Sequence, residues 1–125
     1  MHYLKYTIIL LAFSFFACNN NSGKTKTKAV ETAKITFMEL GSTRCIPCQK
    51  MEKVIEEVKK NYPKKVNTIF HDVWTKEKEH FADDYHIDAI PTQIFLDKNG
   101  KEFFRHEGFF PYEDLKKIID AQLKK

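Results

Sequence analysis

The chain predicts an α/β domain in which a four-stranded mixed β-sheet is flanked by helices. Three observations lead there. Strand-like and helix-like segments alternate through the first half of the folding region. An Asn99-Gly100 turn then joins two short β-rich runs into a hairpin. A final stretch with helical periodicity closes the chain.

The elements follow in order. Lys34 to Leu40 is a strand, apolar on both faces apart from Thr36 and Glu39, which places it in the middle of a sheet. Pro47 to Asn61 is a helix. Its Met51, Val54, Ile55 and Val58 recur with a 3.6-residue period, while Glu52, Lys53, Glu56, Glu57, Lys59 and Lys60 fill the other face. Tyr62-Pro63 ends it. Val66 to Val73 is a second strand, and Lys76 to Tyr85 a short helix. Thr92 to Leu96 and Lys101 to His106 are the hairpin strands around Asp97-Lys98-Asn99-Gly100. Tyr112 to Leu123 is the last helix, with Leu115, Ile118, Ile119, Gln122 and Leu123 on one face. There is no internal repeat and no Gly-rich phosphate loop.

The folding region, residues 33–125, is the length of one small domain. Residues 1–32 are of another kind. Met1 to Ala17 reads as an export signal: Lys5 and His2 precede a run from Thr7 to Ala17 in which only Thr7 and Ser14 are polar. That run is too short for a bilayer core of roughly 30 Å, which takes about 20 residues. Its end, Phe15-Phe16-Ala17-Cys18, resembles a bacterial lipobox, although Phe15 stands where Leu is usual. The resemblance implies that Cys18 is lipidated and becomes the first mature residue. An ordinary signal peptide with an incidental Cys18 is the alternative. Asn19 to Lys28 contains no apolar residue and cannot bury enough surface to order itself, so residues 18–32 read as a flexible linker. An anchored tether of this kind places the domain outside the cytoplasm, in a bacterial periplasm, where disulfides persist. The net charge is +4, with lysines and glutamates interspersed, and no basic stripe with interleaved aromatics speaks for nucleic acid.

The chemistry is concentrated in Cys45-Ile46-Pro47-Cys48. Two cysteines three apart at a helix start can close a disulfide across its first turn. Unpaired N–H groups and the helix dipole favour a thiolate on the first. Proline there removes no hydrogen bond. With Cys18 assigned elsewhere, the pair is too few for a disulfide framework and half of a four-cysteine zinc site. His80 and His86 have zinc-like mutual spacing but lie far along the chain from Cys48, so no metal is expected.

Three features together resemble the thioredoxin family: Cys45-x-x-Cys48 after a central strand, Ile90-Pro91-Thr92 opening a later strand, and Gly108 ahead of the last helix. The resemblance runs from about Lys34 to Leu123 and implies the thioredoxin fold. It also implies a cis peptide bond at Ile90–Pro91, in a loop that faces the dithiol and pairs with the backbone of a bound peptide. Glu39, six residues before Cys45, falls where thioredoxins carry a buried acid. By alternation it shares a face with Ile35 and Phe37, so burial is expected to raise its pKa and fit it to take the proton of Cys48. A Glu39 that reaches solvent from the strand end is the alternative. Arg44 departs from the family, which usually has Trp before the first cysteine. A guanidinium beside Cys45 favours the thiolate and changes the substrate-docking surface. Trp74 either supplies an aromatic near the site or packs in the core.

The activity implied is thiol–disulfide exchange on protein disulfides, without a cofactor. Cys45 attacks, Cys48 resolves, and Glu39 serves proton transfer. The Pro47 of the dipeptide, and its lack of His, match the family's reducing members, so a monomeric periplasmic reductase is expected. Its electrons would come from a membrane thiol-relay protein. An oxidase or isomerase on the same fold, or a metal-binding or interaction module, are the alternatives.

Overall fold

The computed structural model describes residues 33–125. The expected signal segment, the lipidated Cys18 and the linker lie outside the described residues. Seven elements follow in order: β1 (Ile35–Gly41), α1 (Ile46–Asn61), β2 (Val66–Asp72), α2 (His80–Asp84), β3 (Thr92–Asp97), β4 (Glu102–Glu107) and α3 (Tyr112–Leu123). The sheet order is β2-β1-β3-β4. β1 runs parallel to β2 and antiparallel to β3, and β3 is antiparallel to β4. β1 is central, as its two apolar faces predict. The parallel β1–β2 pair needs a crossover, which α1 supplies, whereas β3 and β4 need only the Asn99-Gly100 turn. Gly100 has φ +78°, and the Asp97 side chain accepts from the N–H groups of Asn99 and Lys101 to close that turn.

Alternation along β1 divides the core in two. Ile35 and Phe37 face α1 and α3 and pack with Met51, Val54, Val58, Leu115, Ile119 and Phe95. The Phe37 and Phe95 rings stack with centroids 4.8 Å apart. Met38 and Leu40 face the other way, with Val73 and Ile94, under Phe81, Tyr85 and Ile87 from α2 and the loop after it. The helices thus cover both faces. At the far end of α1 the Tyr62 hydroxyl donates to Asp120 of α3 at 2.6 Å.

The second helix is shorter than the sequence predicts. Residues 75–79 form turns in which Lys78 and Glu79 N–H groups bond to Thr75 O, and regular helix begins only at His80. The physical reason lies in Lys76-Glu77-Lys78-Glu79, which offers no apolar residue to bury before Phe81, and in the lack of a side-chain cap. The helix ends in a Schellman motif: His86 has φ +50°, its N–H bonds to Asp83 O, and Ile87 N–H bonds to Ala82 O. The Arg105 guanidinium of β4 donates to Tyr85 O at 2.9 Å and fastens this corner to the sheet.

Candidate active site

The β-strand register brings the chemical residues to one end of the sheet. Leu40 pairs with Thr92, and Thr92 with Glu107. The loop from Ser42 to Arg44, the Ile90–Pro91 peptide and Gly108 therefore occupy neighbouring positions beyond the ends of β1, β3 and β4. None of this proximity is visible in the chain order.

Cys45 is the N-cap of α1. Its backbone is extended, with φ −95° and ψ 119°, and its Sγ accepts the Cys48 N–H at 3.4 Å. Pro47 lies in the first turn, where a missing N–H leaves no bond unmade. Cys45 and Cys48 are joined as a disulfide with their Cα atoms 5.2 Å apart. Both are buried, and Cys45 is the more accessible at 8% against 4%. The cap residue is the outer of the two, and Cys48 lies deeper. Gly41 makes room for the inner one, because a Cβ there would stand 3.2 Å from Cys48 Sγ and 3.3 Å from Cys48 Cβ.

The loop leading to Cys45 is held on both sides. Thr43 donates its N–H and its hydroxyl to Asp72 Oδ2, at 3.1 and 3.0 Å, and its carbonyl accepts from Gln49 of α1 at 2.8 Å. Asp72 also accepts the Trp74 N–H. Partial desolvation pushes the Asp72 carboxyl up, but these hydrogen bonds outweigh it and hold the group below its ordinary value. Arg44 turns toward Trp74. Its guanidinium donates to Trp74 O at 3.3 Å and stands 5.6 Å from the ring centroid. Trp74 is 51% exposed, so of the two places open to it in the sequence it takes the surface beside Arg44.

Glu39 lies on the same face as Phe37 and Gly41 and is 1% exposed. Burial lifts its pKa from 4.5 to about 8; the Gln93 amide, its cross-strand neighbour, pulls weakly the other way. Neither Glu39 oxygen has a hydrogen-bond partner in the protein. The carboxyl is thus mostly neutral at pH 7 and close to titration, one alternation step from Gly41 and the Cys48 sulfur that packs on it.

The Ile90–Pro91 peptide is cis, as the family resemblance implies. Pro91 O accepts the Gly108 N–H at 2.7 Å, and Thr92 Oγ1 donates to Ala89 O at 2.7 Å. Gly108 has φ +87°, a conformation in which any side chain would be strained. Ile46 at 70%, Phe109 at 44% and Phe70 at 38% exposure join Trp74 as an apolar rim around this end of the sheet. Asp72, Gln93 and Phe109 carry no signal in a single sequence that sets them apart; strand register assembles them. Among the described residues, no group of three or more His, Cys, Asp or Glu side chains is placed to hold a metal ion.

Comparison with known proteins agrees with this geometry. The thioredoxin-like domain family matches residues 23–123. The chloroplastic thioredoxin Y of Oryza sativa subsp. japonica is 32% identical over 94 residues, which cover 75% of this chain and 54% of that protein. The chain therefore spans about half the length of that relative. The thioredoxin of Staphylococcus aureus is 30% identical over 89 residues, 71% of this chain and 83% of that protein. The X-ray structure of Fasciola hepatica thioredoxin superposes with a TM-score of 0.63 at 25% identity, covering 74% of this chain and 84% of that one. The chain belongs to the thioredoxin-like domain family and has the thioredoxin fold.

Proposed function

We propose that this protein is a thiol–disulfide oxidoreductase that reduces protein disulfides in a bacterial periplasm. The observation that carries the reading is the Cys45–Cys48 disulfide at the N-terminus of α1, beside the cis Ile90–Pro91 peptide. In the reducing direction the Cys45 thiolate attacks one sulfur of a substrate disulfide. That S–S bond breaks, a mixed disulfide forms on Cys45, and the first substrate thiolate leaves. Cys48 then gives its proton to ionised Glu39 and attacks the Cys45 sulfur. The mixed disulfide breaks, the second substrate thiolate leaves, and two electrons have passed to the substrate.

Each residue has a physical role. The helix N-terminus and the Cys48 N–H stabilise the Cys45 thiolate. A buried acid with its pKa at about 8 exchanges protons near neutrality. The cis Ile90–Pro91 loop offers the Ile90 backbone to a bound peptide, since Pro91 has no N–H and its carbonyl already accepts from Gly108. Ile46, Trp74 and Phe109 supply apolar docking area, and Arg44 adds a cation beside it. The reducing direction is supported by Pro47 and the absence of His between the cysteines. Ala17-Cys18 and the polar tract that follows support a lipid anchor on a membrane, and a membrane thiol-relay partner would return the dithiol to its reduced state.

The test is the Cys45–Cys48 reduction potential, from the full chain equilibrated in glutathione buffers with free thiols trapped. A value below about −220 mV is expected for a reductase. One above about −160 mV would replace this reading by an oxidase or isomerase. Cys45→Ser is expected to abolish turnover with an insulin-type disulfide substrate while the chain stays folded.

A further inference from the structure

Three buried polar atoms lie together with no partner in the protein: Glu39 Oε1, Glu39 Oε2 and Gln93 Oε1. They belong to one cross-strand pair, since Glu39 of β1 stands opposite Gln93 of β3. Gln93 is 0% exposed. Its other amide atom, Nε2, directs one of its two N–H groups to Gly108 O at 3.1 Å. Gly108 in turn donates its N–H to Pro91 O. Cross-strand pairing thus sets the buried acid beside an amide that is itself hydrogen-bonded to the backbone next to the cis-proline loop. Leaving buried polar atoms unpaired is costly, so the arrangement invites a use for them.

The hydrogen-bond inventory of the two groups supplies it. A neutral carboxyl has one O–H donor, and Gln93 Oε1 is an acceptor without a donor. A carboxylate has acceptors only and needs an N–H, which in this cluster only Gln93 Nε2 carries. Both demands are met by one amide in two orientations. We propose that Gln93 is a positioning residue that couples the protonation of Glu39 to the backbone of Gly108 and, through it, to the Pro91 loop. With Glu39 protonated, the acid donates to Gln93 Oε1 and Nε2 holds Gly108 O. When Glu39 loses its proton, Oε1 loses its donor, the carboxylate draws the second N–H of Nε2, and the amide turns so that its bond to Gly108 O is pulled off line. The loop that receives substrate is then tighter in the proton-loaded state than in the ionised one. This inference rests on Glu39 acting as the proton acceptor of Cys48 in the proposed exchange.

The other groups facing the pair are few. From α1 it is Cys48, which does not titrate in the disulfide; from β2 it is Phe70. From β4 it is His106, opposite Gln93, whose ring stacks on Phe110 and lies 3.4 Å from Phe109 O. Histidine titration therefore has to be separated from that of Glu39.

The experiment is an NMR pH titration of the oxidised full chain, following the Glu39 side-chain carboxyl carbon and the Gly108 and Phe109 amides. The Phe109 amide belongs to the peptide whose carbonyl Gln93 holds. In the wild type, both amides are expected to shift with the Glu39 midpoint. In Glu39→Gln that transition disappears. In Gln93→Met the Glu39 midpoint rises by about half a pH unit or more, for want of the N–H donor, and the amides no longer follow it. Amides that stay still while Glu39 titrates in the wild type overturn the coupling, even if Gln93→Met fails to fold. That result leaves the oxidoreductase reading standing. A wild type without disulfide exchange would defeat the oxidoreductase reading instead, with the titration unaffected.

Discussion

Two neighbouring cross-strand pairs on one face of the sheet have opposite characters. Phe37 and Phe95 stack ring on ring under α1 and α3. One alternation step toward the active end, Glu39 faces Gln93, equally buried and without partners for three of its polar atoms. The same β1–β3 ladder supports both. The first pair gains from leaving water, because apolar area is removed and the rings pack closely. The second loses by the same burial, and the loss appears as a carboxyl pKa of about 8. The contrast shows how one strand is divided: its first half packs the core, and its second half holds a buried acid with a raised pKa.

The contrast is broken most severely at its apolar end. Phe37→Ala is expected to cost about 3–5 kcal/mol, through lost burial and a cavity against Phe95. Urea denaturation measures it, and a cost below about 1 kcal/mol would mean that the stack is not central to the core.

The polar end gives an effect of similar size that depends on pH. Glu39 binds its proton up to about pH 8 in the folded chain and near its ordinary 4.5 when unfolded. Between those values the native state holds more protons, so stability falls as pH rises. The stabilisation relative to the ionised form is complete below about pH 4.5 and gone above about pH 8. The loss is on the order of 5 kcal/mol across the window. Glu39→Gln is expected to flatten this slope in denaturation curves taken from pH 5 to 9; an unchanged slope would assign it to another group.

Smaller effects test the borders of the two regions. Gly41→Ala crowds Cys48 Sγ at 3.2 Å. It is expected to cost about 1–3 kcal/mol and to slow disulfide turnover, measured together on the purified variant. Tyr62→Phe removes the hydrogen bond to Asp120 at the far end of α1. A loss of about 1 kcal/mol is expected, with turnover unchanged, since the bond lies away from the dithiol.

Much of this was legible in the residues. The periodicity of α1 marks Met51, Val54 and Val58, all buried, and that of α3 marks Leu115 and Ile119, likewise buried. The Asn99-Gly100 turn and the central place of β1 followed from local chemistry and from apolar faces. The second helix was legible only in part, because nothing in Lys76 to Glu79 caps or buries a first turn. At the site, the cysteine pair and the face of Glu39 could be read from spacing and alternation. The clamp of Asp72 on Thr43, the seat of Arg44 against Trp74 and the contact of Gln93 with Glu39 could not.

The sequence by itself determined what local rules encode: which segments are helices and strands, which side of each is apolar, and where a helix start meets two thiols. Those signals are complete within a few turns of chain, where backbone geometry and hydrophobic periodicity act. Only the tertiary structure decided which residue stands across from which. Strand register put Gln93 against Glu39 and Pro91 beside the end of β1. A buried carboxyl has its pKa set by such neighbours, because in a low-dielectric interior every nearby dipole and every missing partner counts.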